Sequence, residues 1–254
     1  MPTHLTLDRH LTALATSGAV LREAAARAGL DAPVPTCPTW HVAELVSHQG
    51  MVHRWAAANL RGDADHDTDA SLAEAGRSTD LLGWYDAGLA ALLEALRGAP
   101  DDVRAQVFLR DAPPPRRFWA RRQAHETTVH SADAVAAALG RWPGTADLAV
   151  PAELAADGVD ELLTGFITRG GGKLHAAQPY TVLVRTDDTG HAWTVRISDG
   201  PIVTTPGGDG GDAVFSGTAA ALYLSLWNRA DEITCGGRAG ALAQWRSAIR
   251  IRWS

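Results

Sequence analysis

Apolar residues recur at helical spacing over most of the first 140 positions of the chain. The repeat is clear in four stretches, residues 5–30, 39–61, 78–97 and 116–139. Apolar side chains three and four positions apart share one face of a helix, so each stretch predicts an amphipathic helix with a buried stripe. Four such helices joined by connectors predict an antiparallel four-helix bundle, a fold that builds metal sites from inward-facing side chains.

Capping and breaking residues mark the ends of these helices. Thr39 can cap the second helix, and Gly98-Ala99-Pro100 is a strong stop for the third. Prolines 113–115 force an extended lead into the fourth helix. The acidic residues 63–69 predict a solvated loop, and residues 103–109 predict a short extended segment.

The pattern changes after Arg141-Trp142-Pro143-Gly144. One further helix is predicted over residues 151–169, and short apolar runs then alternate with turn residues such as Asp187-Asp188-Thr189-Gly190. The predicted strands are residues 180–185, 192–198, 202–205 and 213–216, and the predicted last helices are residues 218–227 and 239–247. We therefore predict an α+β fold with two domains, a helical bundle over residues 1–145 and a small α+β domain over residues 146–254.

Composition excludes several classes of partner. The formal net charge of -6 and the pI near 5.9 leave no basic surplus to neutralise phosphates, so we expect no nucleic-acid partner. No apolar run approaches the ~18 residues of a membrane span, and no secretory signal is visible at the start.

The two cysteines, Cys37 and Cys235, form no Cys-x-x-Cys pair. We expect a cytoplasmic monomer or homodimer in a reducing compartment, away from membranes.

A carboxylate and an imidazole lie four residues apart in the fourth predicted helix, at Glu126 and His130. Side chains at this spacing lie one above the other on a helix, which suits two ligands of one divalent metal. A further imidazole, His48, belongs to the second predicted helix. The alternative is that Glu126 and His130 are an exposed pair, and that the histidines are ordinary residues at the edge of the core.

A wider set of motifs supports the metal interpretation. Cys37-Pro38-Thr39-Trp40 opens the second predicted helix, His48 follows within it, and Glu126-x-x-x-His130 comes much later. This combination resembles the DinB-like superfamily, and within it the mycothiol-dependent maleylpyruvate isomerase family. Weaker support comes from Val214-x-x-Gly217 and from Leu224-x-Leu226-Trp227-x-Arg229. The resemblance covers most of the chain and implies a DinB-like metal-binding four-helix bundle followed by a small α+β domain similar to sterol-carrier proteins.

The resemblance also implies a site. The metal ligands of the family fall on His48, Glu126 and His130, a set that suits zinc and leaves a coordination position open. Ligand type alone leaves nickel and iron possible. The resemblance further implies that the C-terminal domain closes over the metal end of the bundle, with Arg229 as the candidate catalytic contributor.

The function implied by the resemblance is thiol-dependent isomerisation or S-transfer on a small electrophilic metabolite. A divalent cation deprotonates a coordinated thiol, and the thiolate of mycothiol would then act as the nucleophile. One alternative is a hydrolase that uses metal-activated water. Another is a small-molecule or lipid-binding protein with a vestigial metal site. For the thiol-dependent enzyme, the expected partners are mycothiol, a divalent metal and the small-molecule substrate.

Other polar residues receive separate predictions. His125 is next to Glu126 on the helix and therefore points roughly 100° away, which favours a solvent-facing ring. His53 is expected to pack between helices. Glu44 and Asp133 are each either an outer-shell carboxylate or a surface residue. Cys37 is assigned to packing in the turn that opens the helix.

Overall fold

The computed structural model describes residues 5–63, 65–109, 112–169 and 174–249. These residues form two compact units. The helical unit contains Thr6–Phe108 and Ala112–Pro143. The α+β unit contains the described residues from Gly144 onward, together with Leu5 and Leu109. The predicted α+β class, a helix-rich N-terminal region followed by a small sheet domain, is confirmed.

The described part of the helical unit contains five helices. They are α1 (Leu7–Ala28), α2 (Val42–Arg61), α3 (Thr68–Arg77), α4 (Leu81–Gly98) and α5 (Pro115–Leu139). α5 packs against α1 and α2, and α4 packs against α2 and α1. No helix in the described part of the chain is long and apolar enough to cross a membrane.

The structure differs from the sequence prediction at the start of two helices and by one additional helix, α3, because local caps override the hydrophobic repeat. The N-cap of α2 is His41, not Thr39. α3 occupies part of the region predicted as a loop, because the Asp67 carboxylate accepts a 2.9 Å hydrogen bond from the backbone N–H of Ala70. Asp80 caps α4 in the same way, which moves its start to Leu81. Residues 103–109 form no regular strand.

α5 is buried on nearly every side. Almost all of its residues from Phe118 to Ala137 are buried, polar ones included. Neighbouring α2 approaches α4 closely at Gly50, where a Cβ atom would overlap the ring of Trp84. Because α5 is buried along this stretch, polar side chains between α2 and α5 are held out of bulk water.

The α+β unit starts with α6 (Ala152–Asp160), which runs into a π-helical turn (Glu161–Phe166) and a short 3₁₀ turn (Ile167–Arg169). Within residues 174–249 a five-stranded sheet has the order β3-β2-β1-β4-β5. Its strands are β1 (Tyr180–Thr186), β2 (Ala192–Ile197), β3 (Val203–Pro206), β4 (Ala213–Gly217) and β5 (Thr234–Gly237). β1 is antiparallel to β2 and parallel to β4. Helices α7 (Ala219–Leu226) and α8 (Ala241–Ala248) flank β5 in sequence.

The sequence analysis identified each of these elements except β5. That strand has the sequence Thr-Cys-Gly-Gly, and all four of its residues are exposed. It therefore lacks the alternation of buried and exposed positions that indicates a strand, and two of its four residues are glycines, which are uncommon in strands. The turn predicted between β1 and β2 is present, with Gly190 at φ 71°.

Candidate metal centre

The three ligands predicted from the sequence lie together inside the helical unit. His48 comes from α2, and Glu126 and His130 come from successive turns of α5. Their candidate ligand atoms all lie within 4.8 Å of one another, and each side chain is only 8% exposed. Residues nearly eighty positions apart are thus brought to one point by the packing of α2 on α5.

The distances within the cluster suit a shared cation. Glu126 Oε1 lies 3.3 Å from His130 Nε2 and 3.8 Å from His48 Nε2. This oxygen is buried and accepts no hydrogen bond from the described residues. Two ligand atoms bound to a tetrahedral zinc at 2.0–2.2 Å are roughly 3.4 Å apart. The three side chains therefore fit a divalent ion with little rearrangement.

The second nitrogen of His130 is held by a carboxylate. His130 Nδ1 lies 2.9 Å from Asp133 Oδ2, and Asp133 Oδ1 accepts a 2.6 Å hydrogen bond from Thr36 Oγ. An ionised carboxylate can only accept, so Nδ1 of His130 carries a proton, and Nε2 is the nitrogen that can bind a metal once its own proton is lost. Of the two carboxylates considered from the sequence, Asp133 is the one in an outer-shell position.

The other carboxylate, Glu44, has a different role. Its Oε2 accepts a 2.8 Å hydrogen bond from the backbone N–H of His41, and its side chain is 55% exposed. A glutamate three residues into a helix commonly closes a capping box in this way. Glu44 therefore fixes the start of α2, the helix that carries His48.

Arg122 is a member of the site that the sequence analysis missed. It is 2% exposed, and its guanidinium donates a 2.6 Å hydrogen bond to Glu126 Oε2. Arg122, Glu126 and His130 are spaced by four residues along α5, so they form one row on the helix. That i, i+4 spacing is the sequence signal that could have identified Arg122.

Trp40 packs against both histidines of the cluster. Its ring is stacked on His130 with centroids 6.0 Å apart, and it is tilted against His48 at 5.0 Å. The turn before it is closed by backbone hydrogen bonds from Cys37 N–H to Val34 and from Trp40 N–H to Cys37. The Cys-Pro-x-Trp motif thus forms a turn that holds the indole beside the cluster, consistent with a packing role for Cys37.

The electrostatics of the metal-free cluster follow from burial and from the charged neighbours. Burial opposes the charge of Glu126, but the Arg122 guanidinium and the two imidazoles hold its pKa well below the usual range. Burial also opposes the charge of His130, but Asp133 and Glu126 outweigh it and raise its pKa to about 9. Burial lowers the pKa of His48. At neutral pH without metal, Glu126 is therefore ionised, His130 protonated and His48 neutral.

Three further histidines, His10, His53 and His125, are buried in the helical unit. His53 lies between helices, with its Nε2 2.9 Å from Thr127 Oγ and from Gln49 Nε2, and burial lowers its pKa to about 3. The prediction of a solvent-facing His125 was wrong. Its ring is 0% exposed and meets His10 of α1 edge-on, with centroids 6.1 Å apart. The reason is that α5 has no solvent-facing side over this stretch.

Arg229 lies in the α+β unit, shortly after α7. Its backbone N–H donates to the carbonyl of Leu224, and its guanidinium donates a 2.9 Å hydrogen bond to the carbonyl of Trp227. The preceding residue, Asn228, has φ 60°, a conformation that turns the chain sharply after the helix. The catalytic role of Arg229 remains a prediction.

Comparison with known families gives two matches that follow one another along the chain. The model of the mycothiol maleylpyruvate isomerase N-terminal domain matches residues 11–135. The model of the C-terminal domain of the same family matches residues 153–244. Together they cover most of the chain, including all three candidate metal ligands and Arg229. No curated protein matches the chain in sequence.

Solved structures give the same fold. The crystal structure of a mycothiol-dependent maleylpyruvate isomerase superposes with a TM-score of 0.61 at 16% identity, covering 91% of this chain and 93% of the other. A histidine-to-alanine mutant of a mycothiol-dependent maleylpyruvate isomerase superposes with a TM-score of 0.60 at 15% identity, with the same coverage. At these identities the likeness is one of fold.

Proposed function

The chain belongs to the mycothiol-dependent maleylpyruvate isomerase family, and on that premise we propose that it catalyses a metal- and mycothiol-dependent isomerisation or S-transfer on a small electrophilic metabolite. The observation that carries the proposal is the buried convergence of His48, Glu126 and His130. A buried carboxylate oxygen that accepts no hydrogen bond from the described residues and faces two imidazoles is in a position to bind a cation together with them. We place the enzyme in the cytoplasm, where small thiols are kept reduced.

Zinc is the metal we propose for this site. Two imidazoles and one carboxylate are ligands that zinc accepts, and three protein ligands are typical of catalytic zinc with an open position. When bound, the metal would lower the pKa of a thiol placed at that open position, so that a thiolate is present at neutral pH.

The residues of the chain prepare the site for such a ligand. Asp133 fixes the ring of His130 through Nδ1, and Thr36 fixes Asp133. Trp40 covers the rings of both histidines and limits the water around them. Because these side chains are packed before any ligand arrives, little reorganisation is needed when it binds.

Maleylpyruvate, named in the matched family, is the first substrate to test. Reversible addition of a thiol converts a conjugated double bond into a single bond that can rotate, and expulsion of the thiol then leaves the isomer. The substrate is a dianion at neutral pH, which an arginine can hold through its carboxylates. We propose Arg229 for that contact.

The test combines metal content with turnover. Protein purified with zinc supplied should contain about one zinc per chain, and it should isomerise maleylpyruvate only when mycothiol is added. The His130→Ala variant is the control, since it should lose both the metal and the activity. Hydrolysis of the substrate without any thiol would favour a hydrolase. Co-purified lipid with no metal would favour a binding protein.

A further inference from the structure

The two oxygens of Glu126 have different surroundings. Oε2 accepts the 2.6 Å hydrogen bond from Arg122, a length typical of a strong charge-assisted bond. Oε1 points instead at the imidazoles, 3.3 Å from His130 Nε2, and accepts no hydrogen bond from the residues described. One oxygen is therefore committed to the protein, and the other is presented to the cluster.

Arg122 is in a position to maintain this difference. It precedes Glu126 by one helical turn on α5, so both residues lie on the same face of one rigid element. The guanidinium is 2% exposed and the carboxylate 8%, which leaves little water to compete for Oε2. Freeing that oxygen would break a short charge-assisted hydrogen bond between two buried side chains, so the arrangement resists change.

We propose that Arg122 is a positioning residue that restricts Glu126 to binding the metal through a single oxygen. The proposal rests on the proposed function, because it presupposes an ion held by His48, Glu126 and His130. A carboxylate that binds through both oxygens adds a ligand and is common around larger cations such as Ca²⁺. Holding Oε2 away keeps the number of protein ligands at three and leaves a position for an exogenous ligand.

The same contact has an electrostatic consequence for that exogenous ligand. Arg122 offsets the negative charge of Glu126, and the two imidazole ligands are neutral when they bind a metal, which leaves the Asp133 carboxylate behind His130 as the second negative group. The charge of the ion is therefore only partly neutralised by its immediate surroundings. A site of this kind favours an anionic ligand such as a thiolate over neutral water.

The experiment compares Arg122→Met, Arg122→Lys and the wild type, each loaded with Co²⁺ or Zn²⁺. Arg117→Met is the matched control, because Arg117 is an exposed arginine on the same helix. We expect intense visible Co²⁺ bands, typical of low coordination number, in the wild type and the control. Arg122→Met should show weaker bands, one additional oxygen in zinc X-ray absorption, and zinc affinity lowered about 10–100-fold. Arg122→Lys should fall between them, since it keeps the charge without the planar fork.

Unchanged Co²⁺ bands and a zinc affinity within about twofold of the wild type in Arg122→Met would overturn the inference while leaving the metal site intact. If Arg122→Met cannot be obtained folded, Arg122→Gln replaces it as the neutral variant. Arg122→Lys should then retain more of the wild-type spectrum than Arg122→Gln, and identical spectra for both would overturn the inference. A wild-type protein that binds no metal would overturn the proposed function and this inference together.

Discussion

Binding of zinc should release about one proton per chain at pH 7, because the metal must displace a proton from His130. Asp133 and Glu126 raise the pKa of this buried imidazole to about 9 in the metal-free protein, against 6.5 for an unperturbed histidine. A ligating imidazole must be deprotonated at the nitrogen that binds. His48 is neutral at pH 7, because burial lowers its pKa, so it contributes no proton.

The size of the effect on zinc affinity follows from the difference between the pKa of His130 and the pH of the measurement. With a pKa about two units above pH 7, protonation weakens zinc binding by about 100-fold, which is about 2.7 kcal/mol. The apparent affinity should rise about tenfold for each pH unit from 7 to 9 and level off above. In the metal-free protein, the raised pKa of His130 contributes stability that is fully present below pH 6.5 and is lost as the pH rises through 9.

Isothermal titration calorimetry in buffers of different ionisation enthalpy counts the released protons directly. A competition titration with a chelator, corrected for the chelator's own protonation, gives the affinity at each pH. Asp133→Asn is the informative variant, because it removes the carboxylate that hydrogen-bonds to His130 Nδ1 and should reduce proton release at pH 7. If the wild type releases no proton and its zinc affinity is the same at pH 7 and pH 9, the reasoning from His130 and its neighbours is refuted.

Three further predictions follow from the structure. His130→Ala should lose the metal but keep the helical circular dichroism of the wild type, because alanine is tolerated within a helix; global unfolding would indicate a structural site. His53→Gln should reduce the acid sensitivity of the fold. The pKa of His53 is about 3 in the folded protein, so the free energy of unfolding of the wild type falls by about 1.4 kcal/mol for each pH unit from 6.5 down to 3. Acid denaturation of the variant should lack this component. A chain ending at Pro143 should still bind metal, since the three proposed ligands precede that residue, but it should lose turnover. Undiminished turnover would show that the C-terminal half is not part of the active site.

The sequence contained enough information to predict the family, the fold class and the grouping of the three candidate metal ligands. The long helices were predictable because their apolar positions repeat at helical spacing and their ends carry strong stops such as Gly98-Ala99-Pro100. The Glu126–His130 spacing places both side chains on one face of a helix whatever the rest of the fold does. The partner from α2, His48, required the family resemblance, because no local rule relates residues so far apart.

The remaining features depend on tertiary packing that local patterns do not encode. His125 was placed in solvent because rotation around an isolated helix gives its direction but not its neighbours, and in the fold α1 covers that side of α5. Asp133 could not be separated from Glu44 by spacing alone, since either could reach a histidine on its own helix. Arg122 was overlooked because a buried arginine is rare, although its spacing from Glu126 was visible.

The most direct test of the account is zinc X-ray absorption on the loaded protein, measured before and after mycothiol is added. We predict a first shell of nitrogen and oxygen from two histidines and one glutamate, and on addition of the thiol a new sulfur scatterer at about 2.3 Å. The same sample should turn over maleylpyruvate only in the presence of the thiol. A zinc shell that gains no sulfur at saturating mycothiol would contradict the claim that His48, Glu126 and His130 hold a metal that activates a thiol.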